Sequence, residues 1–121
     1  MYPENEKVHG HEFGAAGEEL EIAKIADAVS GEIYTYAISS EDGELQEIVF
    51  QHGTVPENGV NGVTEGALVA IVADRLRGHQ SGAFACRENA LALTKLEEAL
   101  HWMESRTKDR LKRGVEGSLA K

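Results

Sequence analysis

The chain is poor in the residues that announce a chemistry. Of its 121 residues one is cysteine and two are proline. A lone thiol, Cys86, cannot close an internal disulfide, and a structural zinc site wants four ligands at set spacing. Neither staple is expected, and the cysteine usage suits a reducing compartment. Aromatics amount to three Phe, three Tyr and one Trp. The core must therefore come from Leu, Ile, Val and Ala; it will be thin, and association between copies is the natural remedy. No stretch approaches the roughly 18 apolar residues a membrane span needs. The opening Met1-Tyr2-Pro3-Glu4-Asn5-Glu6-Lys7 lacks the basic start and apolar run of a secretion signal. An intracellular protein with no membrane partner is expected. Positive charge is scarce too: the formal net charge is −9, which argues against DNA or RNA as partners, because phosphate contacts dominate such binding.

The charge that is present is unevenly placed. Residues 1–62 carry 2 basic and 13 acidic side chains, whereas residues 63–121 carry 10 basic and 8 acidic. Within Glu104 to Arg113 five basic residues face two acidic ones. An anionic ligand belongs at that end.

Hydrophobic residues at 41% and charged residues at 27% suit one folded unit rather than a disordered tail, and the strand-like and helix-like stretches that follow make its expected class α+β. Residues 1–18 show no sustained period and read as a flexible or weakly docked acidic arm. Residues 19–62 read as a small antiparallel β region with its loop. Leu20 and Ile22 alternate as in a strand, while Ile22, Ile25, Ala26 and Val29 also fit a helix face; the strand is preferred. The runs Glu32 to Ser39 and Glu44 to Gln51 are β-rich and flank Ser40-Glu41-Asp42-Gly43, so a β-hairpin over about 32–51 is expected. His52 to Gly62 is broken by Gly and Pro and reads as a loop.

Residues 63–117 read as a helical hairpin domain. Thr64 is a candidate N-cap with Glu65 in the first turn. Ala67, Leu68, Ile71, Val72 and Leu76 recur at helical spacing up to Gly78, a candidate C-cap. After His79-Gln80-Ser81-Gly82 a second helix is expected from about Phe84 to Arg113. Cys86, Leu93, Leu96, Leu100 and Met103 make its seam. Roughly 30 residues at 1.5 Å each is about 45 Å, longer than a compact domain of this size, so the helix should overhang and find another copy. A homo-oligomer is expected.

Past Met103 the seam continues as Arg106, Arg110 and Arg113. Arginine presents a planar donor fork that suits phosphate and stacks on purines, which would make an anion pocket near a subunit junction. The plainer reading is that these cations complement the helix dipole and point to water. At the other end, Phe84, Arg87 and Asn89 could sandwich and edge-read a base. The plainer reading is that Phe84 is a core anchor, Arg87 a surface charge and Asn89 a seam polar group. His9-Gly10-His11-Glu12 could hold a metal only adventitiously, so no metal and no cofactor are expected. Catalytic signatures are missing: there is no P-loop and no Gly-x-Ser-x-Gly elbow. Glu97 and Glu98 diverge by about 100° on a helix, and Cys86 in a helix stripe reads as a small core residue. A non-enzyme is expected.

The run from Phe84 to Trp102, with the skeleton Arg87-x-x-Ala90-Leu91-Ala92-x-Thr94-x-Leu96-x-x-Ala99-Leu100, resembles the helical-hairpin domain of two phage immune-evasion groups. These are the Thoeris anti-defence sponges and the anti-CBASS cyclic-oligonucleotide sponges. The flanks Ile48-Val49-Phe50-Gln51, Gly59-Val60-Asn61-Gly62-Val63, Asp74-Arg75-Leu76 and Arg106-Thr107-x-x-Arg110-x-x-Arg113-Gly114-Val115-Glu116-Gly117 are similar to the Thoeris type. The resemblance covers residues 31–117. It implies a phage or prophage protein, at work in the host bacterial cytoplasm, that hides an immune second messenger without cleaving it. The messenger implied is a cyclic ADP-ribose isomer, with cyclic di- and trinucleotides as further ligands and CBASS as a further target. It also implies a dimer to hexamer with pockets between protomers, built from aromatic, Asn and Arg side chains. Phe84, Arg106 and Arg110 match its motif positions most directly, followed by Arg87, Asn89, Asn61 and Arg113. The different class of function that the residues allow is a helical-hairpin protein–protein interaction module with no small ligand. A nucleotide hydrolase is a third.

Overall fold

The computed structural model describes residues 2–114; the expected Val115-Glu116-Gly117 ending lies outside them. The chain divides into two compact units, residues 1–52 with 60–63 and residues 53–59 with 64–121. Together they make an α+β protein, an antiparallel sheet followed by a long helical hairpin, as the sequence pattern predicts.

The first unit is a four-stranded antiparallel sheet in the order β1-β2-β3-β4, formed by Lys7–Val8, Glu21–Ala26, Ile33–Ser40 and Gly43–Val49. The segment expected to be an arm holds a 3₁₀ turn at Glu4–Glu6, the short β1 and a helix, α1, at Gly14–Glu18. The sheet takes only two residues from it, through the pairs Lys7↔Ala23 and Val8↔Ile22. The ambiguous 19–30 stretch resolves as β2. Strand wins over helix there because Ala23 falls opposite Ala37 of β3, and these two are the buried hydrophobic residues of this unit among the described residues. The β3–β4 hairpin closes at Ser40↔Gly43, with Gly43 at φ +126°, a conformation that L side chains rarely adopt.

Asp27 organises the β2–β3 turn. Its carboxylate accepts hydrogen bonds from the Val29 and Ser30 backbone N–H groups at 3.1 and 2.9 Å and from the Tyr34 hydroxyl at 2.7 Å. These donors, led by the Ser30 N–H and the Tyr34 hydroxyl, lower its pKa to about 2. Tyr34 also stacks flat on His52, ring centroids 3.8 Å apart. Past β4 the chain closes on itself through a parallel bridge between Phe50 and Val63. Gly62 makes that approach possible, since a Cβ there would lie 2.4 Å from the Phe50 carbonyl carbon.

The second unit holds a short helix α2 at Val55–Asn58 inside the expected loop, then α3 at Glu65–Gln80 and α4 at Arg87–Lys112. Thr64 caps α3 as expected, its hydroxyl oxygen accepting from the Ala67 N–H at 3.0 Å. Gly78 does not end the helix, which runs on to Gln80 with Ser81 as C-cap. The inward face of α3 also differs from the expected one. Ala73 is fully buried and Val69 and Leu76 are half-buried, whereas Ile71 and Val72 are exposed, Ile71 to 59%. The run Gly66 to Ala73 carries no polar side chain, so periodicity alone leaves its packed face undefined.

The expected start of the second helix at Phe84 moves to Arg87. Cys86 is corrected from seam residue to N-cap: it is exposed, and its Sγ accepts the Asn89 N–H at 3.4 Å. The seam itself is observed as half-buried Asn89, Leu93, Leu96 and Leu100. A methyl added at Gly66, near the start of α3, would come within 4.0 Å of Met103 Sδ. Beyond Met103, α4 continues to Lys112. Its 26 residues extend for about 39 Å.

Candidate functional site

The residues singled out by sequence fall in three places. Phe84, Arg87 and Asn89 are at the turn of the hairpin, Arg106, Arg110 and Arg113 are at the far end of α4, and Asn61 belongs to the sheet unit.

At the turn, Phe84 precedes the helix instead of beginning it, and its side chain is 73% exposed. It is therefore no core anchor. Its ring meets His79 edge-to-face at a centroid distance of 5.7 Å. The backbone around it is tied on both sides. The Cys86 N–H donates to Gln80 Oε1 at 3.0 Å, and Asn89 Nδ2 donates to the Phe84 carbonyl at 3.3 Å. Asn89 thus spends its side-chain donor on holding Phe84 in place. Arg87 is exposed at the first turn of α4.

At the other end the charges sort themselves. Glu104 accepts an ion pair from Lys108 at 2.7 Å, and Asp109 one from Arg113 Nε at 2.9 Å, both with i,i+4 spacing. The Lys108 hydrogen bond lowers the Glu104 pKa. The two acidic groups of the stretch are thereby engaged by two of its five cations. Arg106 and Lys112 are exposed and have no ion-pair partner among the described residues. Arg110 is only 6% exposed. It is the buried residue of this end of α4, whereas Met103, expected on the seam about two turns earlier, is exposed, as are Arg106 and Arg113.

Asn61 uses its amide locally. Its Oδ1 accepts from the His52 N–H at 3.0 Å and its Nδ2 donates to the His52 carbonyl at 2.8 Å. Two further sequence features also pair within themselves. The His9 ring is hydrogen-bonded to the carboxylates of Glu4 and Glu12, which raises its pKa and lowers that of Glu12 to about 2. Glu97 pairs with Arg77 at 3.4 Å and Glu98 with Lys95 at 3.9 Å, so the adjacent carboxylates serve different partners. Among the described residues no group of three or more His, Cys, Asp and Glu side chains is arranged to hold a metal ion, and no helix is long and apolar enough to cross a membrane.

The sheet unit carries a groove of about 580 Å³ in whose lining Glu12, Glu18, Glu19, Glu21, Glu41 and Glu44 outnumber Lys7, His9 and His11. Its acidic lining repels phosphate, so an anionic ligand is better served by the helix tip. In the sequence His79 and Gln80 read as connection residues alone. No signal in a linear pattern marks a ring contact across a turn.

A small sheet followed by a helical hairpin, aromatic at its turn and cationic at its tip, defines a class of α+β protein with two chemically distinct ends on one helix. A family model described as the Acb2/Tad1 hairpin domain matches residues 42–108, more than half of the chain, and the chain belongs to that family. It is also 53% identical over 76 residues to "Thoeris anti-defense 1" of Bacillus phage SBSphiJ7, a match that covers 63% of this chain and 54% of the relative. The chain thus spans about half the length of that curated relative. Asn61, Phe84, Arg87, Asn89 and Arg106 lie inside the family match, and Arg110 and Arg113 lie just past it.

Proposed function

We propose that this protein is a phage-encoded sponge that captures an anionic cyclic-nucleotide messenger, a cyclic ADP-ribose isomer in the first place, and withholds it from the Thoeris defence system without cleaving it. Cyclic di- and trinucleotides are further ligands and CBASS a further target of this reading. Family membership and the printed name of the phage relative support the anti-defence role.

The observation that carries the ligand reading is the separation of the two ends of α4. From Arg87 to Arg110 the helix rises about 35 Å. That is far longer than one nucleotide, so a single chain cannot offer both its exposed phenyl ring and its arginine tip to the same molecule. Two copies running antiparallel can, because a two-fold axis puts the turn of each beside the tip of the other. A purine then has a flat face at Phe84 and a pyrophosphate has guanidinium forks at Arg106 and Arg110, with Arg87 and Arg113 alongside. Asn89 supports this site by holding the Phe84 backbone, whereas Asn61, in the sheet unit, holds that of His52. The homo-oligomer, a dimer or a hexamer built from dimers, is part of the reading, and the host cytoplasm is where its messenger would be met.

A second reading keeps the hairpin as a protein-interaction module. It is favoured by apolar side chains left exposed on the hairpin, Ile71, Val72 and Trp102 among them. One experiment separates these readings from an enzyme. Purified protein is incubated with a cyclic ADP-ribose isomer, separated from free ligand and heat-denatured, and the released molecule is analysed. Intact ligand in stoichiometric amount supports the sponge, a converted ligand indicates an enzyme, and no retained ligand leaves the interaction module.

A further inference from the structure

We infer that His79 is a positioning residue for Phe84, fixing the phenyl ring as a preformed wall for a stacked base. This inference rests on the sequestration reading for the identity of the ligand, and on geometry alone for the restraint of the ring. An aromatic side chain that is 73% exposed on a turn is free to change rotamer unless a neighbour holds it. Ordering such a ring when the ligand arrives would lower the affinity. Here the ordering is built in. His79, half-buried in the last turn of α3, meets the Phe84 ring edge-to-face at 5.7 Å and 78° between planes, a favoured aromatic arrangement.

The main chain under that ring is fixed independently. The Phe84 carbonyl accepts from Asn89 Nδ2 at 3.3 Å, and two residues on, the Cys86 N–H donates to Gln80 Oε1 at 3.0 Å. Gly82 and Ala85 N–H groups close further turns onto His79 and Gly82 carbonyls at 3.2 and 3.3 Å. The backbone therefore sets where Phe84 starts and His79 sets where its ring points. With most of the ring surface still open to solvent, the contact orients the ring without covering it. That is the arrangement a stacking wall needs and a core residue does not.

The test has a ligand-free arm and a ligand arm, both on the full chain. In the first, the ring of Phe84 is followed by NMR with selectively labelled phenylalanine. The wild type shows one preferred rotamer with a ring-current shift from His79, and His79→Ala averages it, while the melting temperature and the oligomer mass stay unchanged. In the second, the Kd for a cyclic ADP-ribose isomer rises about 3- to 10-fold in His79→Ala, the range an aromatic pair contributes. His79→Phe restores the wild-type value, and the double variant with Phe84→Ala is no weaker than Phe84→Ala alone. An unaltered Phe84 rotamer in His79→Ala overturns the inference. So does a double variant whose losses add, since His79 would then act independently of the ring. A wild type that captures nothing while its Phe84 ring is ordered by His79 upholds the positioning and sinks the sequestration reading instead.

Discussion

Co-expressing a Phe84→Ala chain with an Arg110→Ala chain probes the geometry on which ligand capture depends. The two residues stand at opposite ends of a 26-residue helix. The rise between them exceeds any one nucleotide by a wide margin, so an intact site must draw Phe84 from one copy and Arg110 from another. Each variant alone then lacks a complete site everywhere. Losing a charge-assisted bond to a phosphate costs about 1.5–3 kcal/mol, which weakens binding by roughly 10- to 150-fold. In a two-fold dimer, random mixing makes about half of the dimers heterodimeric, and each of these holds one intact site and one doubly damaged site. Capacity should therefore return to about a quarter of the wild-type value, a fraction that assembly of dimers into a hexamer leaves unchanged. The assay is ligand retained per chain after gel filtration, read from the molecule released on heating. Because Arg110 is buried, Arg110→Gln is run in parallel to keep most of its volume. Recovery of nothing on mixing would place both residues in one chain's site or in none. Full capture by either variant alone would remove that residue from the pocket.

Three further outcomes follow from local geometry. Thr64→Ala removes the side-chain cap of α3 and should lower stability by about 1 kcal/mol, visible as a reduced urea midpoint at unchanged slope. Gly62→Ala drives a methyl into the Phe50 backbone and should cost about 1–3 kcal/mol, with the sheet's amide protons losing exchange protection before those of α4. Asp27 has a lowered folded-state pKa, so its contribution is fully present above its ordinary value of 3.8 and is lost as pH falls toward about 2. The gap in melting temperature between wild type and Asp27→Ala should accordingly be open at pH 6 and narrow through that acidic window. A gap that does not change with pH would show that the carboxylate charge is not what holds the turn.

The legible parts of this fold are those where one residue has one job. Asp42-Gly43 between two β-rich runs can do little but reverse a strand, and Thr64 ahead of an apolar periodic stretch can do little but start a helix. Legibility fails where several residues could do the same job. Ile71 and Val72 are as eligible by spacing for the packed face of α3 as Val69 and Ala73, yet Ala73 is the residue that is fully buried. The start of α4 is not legible because cysteine is not a habitual cap. Of the candidate site, the chemistry of the two ends was readable from Phe84, Arg87 and the arginine triplet. The use of the Asn89 amide on the Phe84 carbonyl, and of Asn61 on His52, depends on distances across a turn and a loop that spacing does not encode. Arg110 shows the same limit, since its period matched that of Arg106 and Arg113 while its burial did not.

The sulfur that opens α4 has a practical consequence. Cys86 is the chain's single thiol, it is exposed, and it receives the N–H of the residue whose amide tethers Phe84. Alkylation there would crowd that N–H and loosen the aromatic end while leaving the arginine end, some nine-tenths of the helix away, untouched. One half of the molecule can thus be chemically detuned in the finished protein, without a mutation and with a reagent that has nowhere else to react as a thiol label.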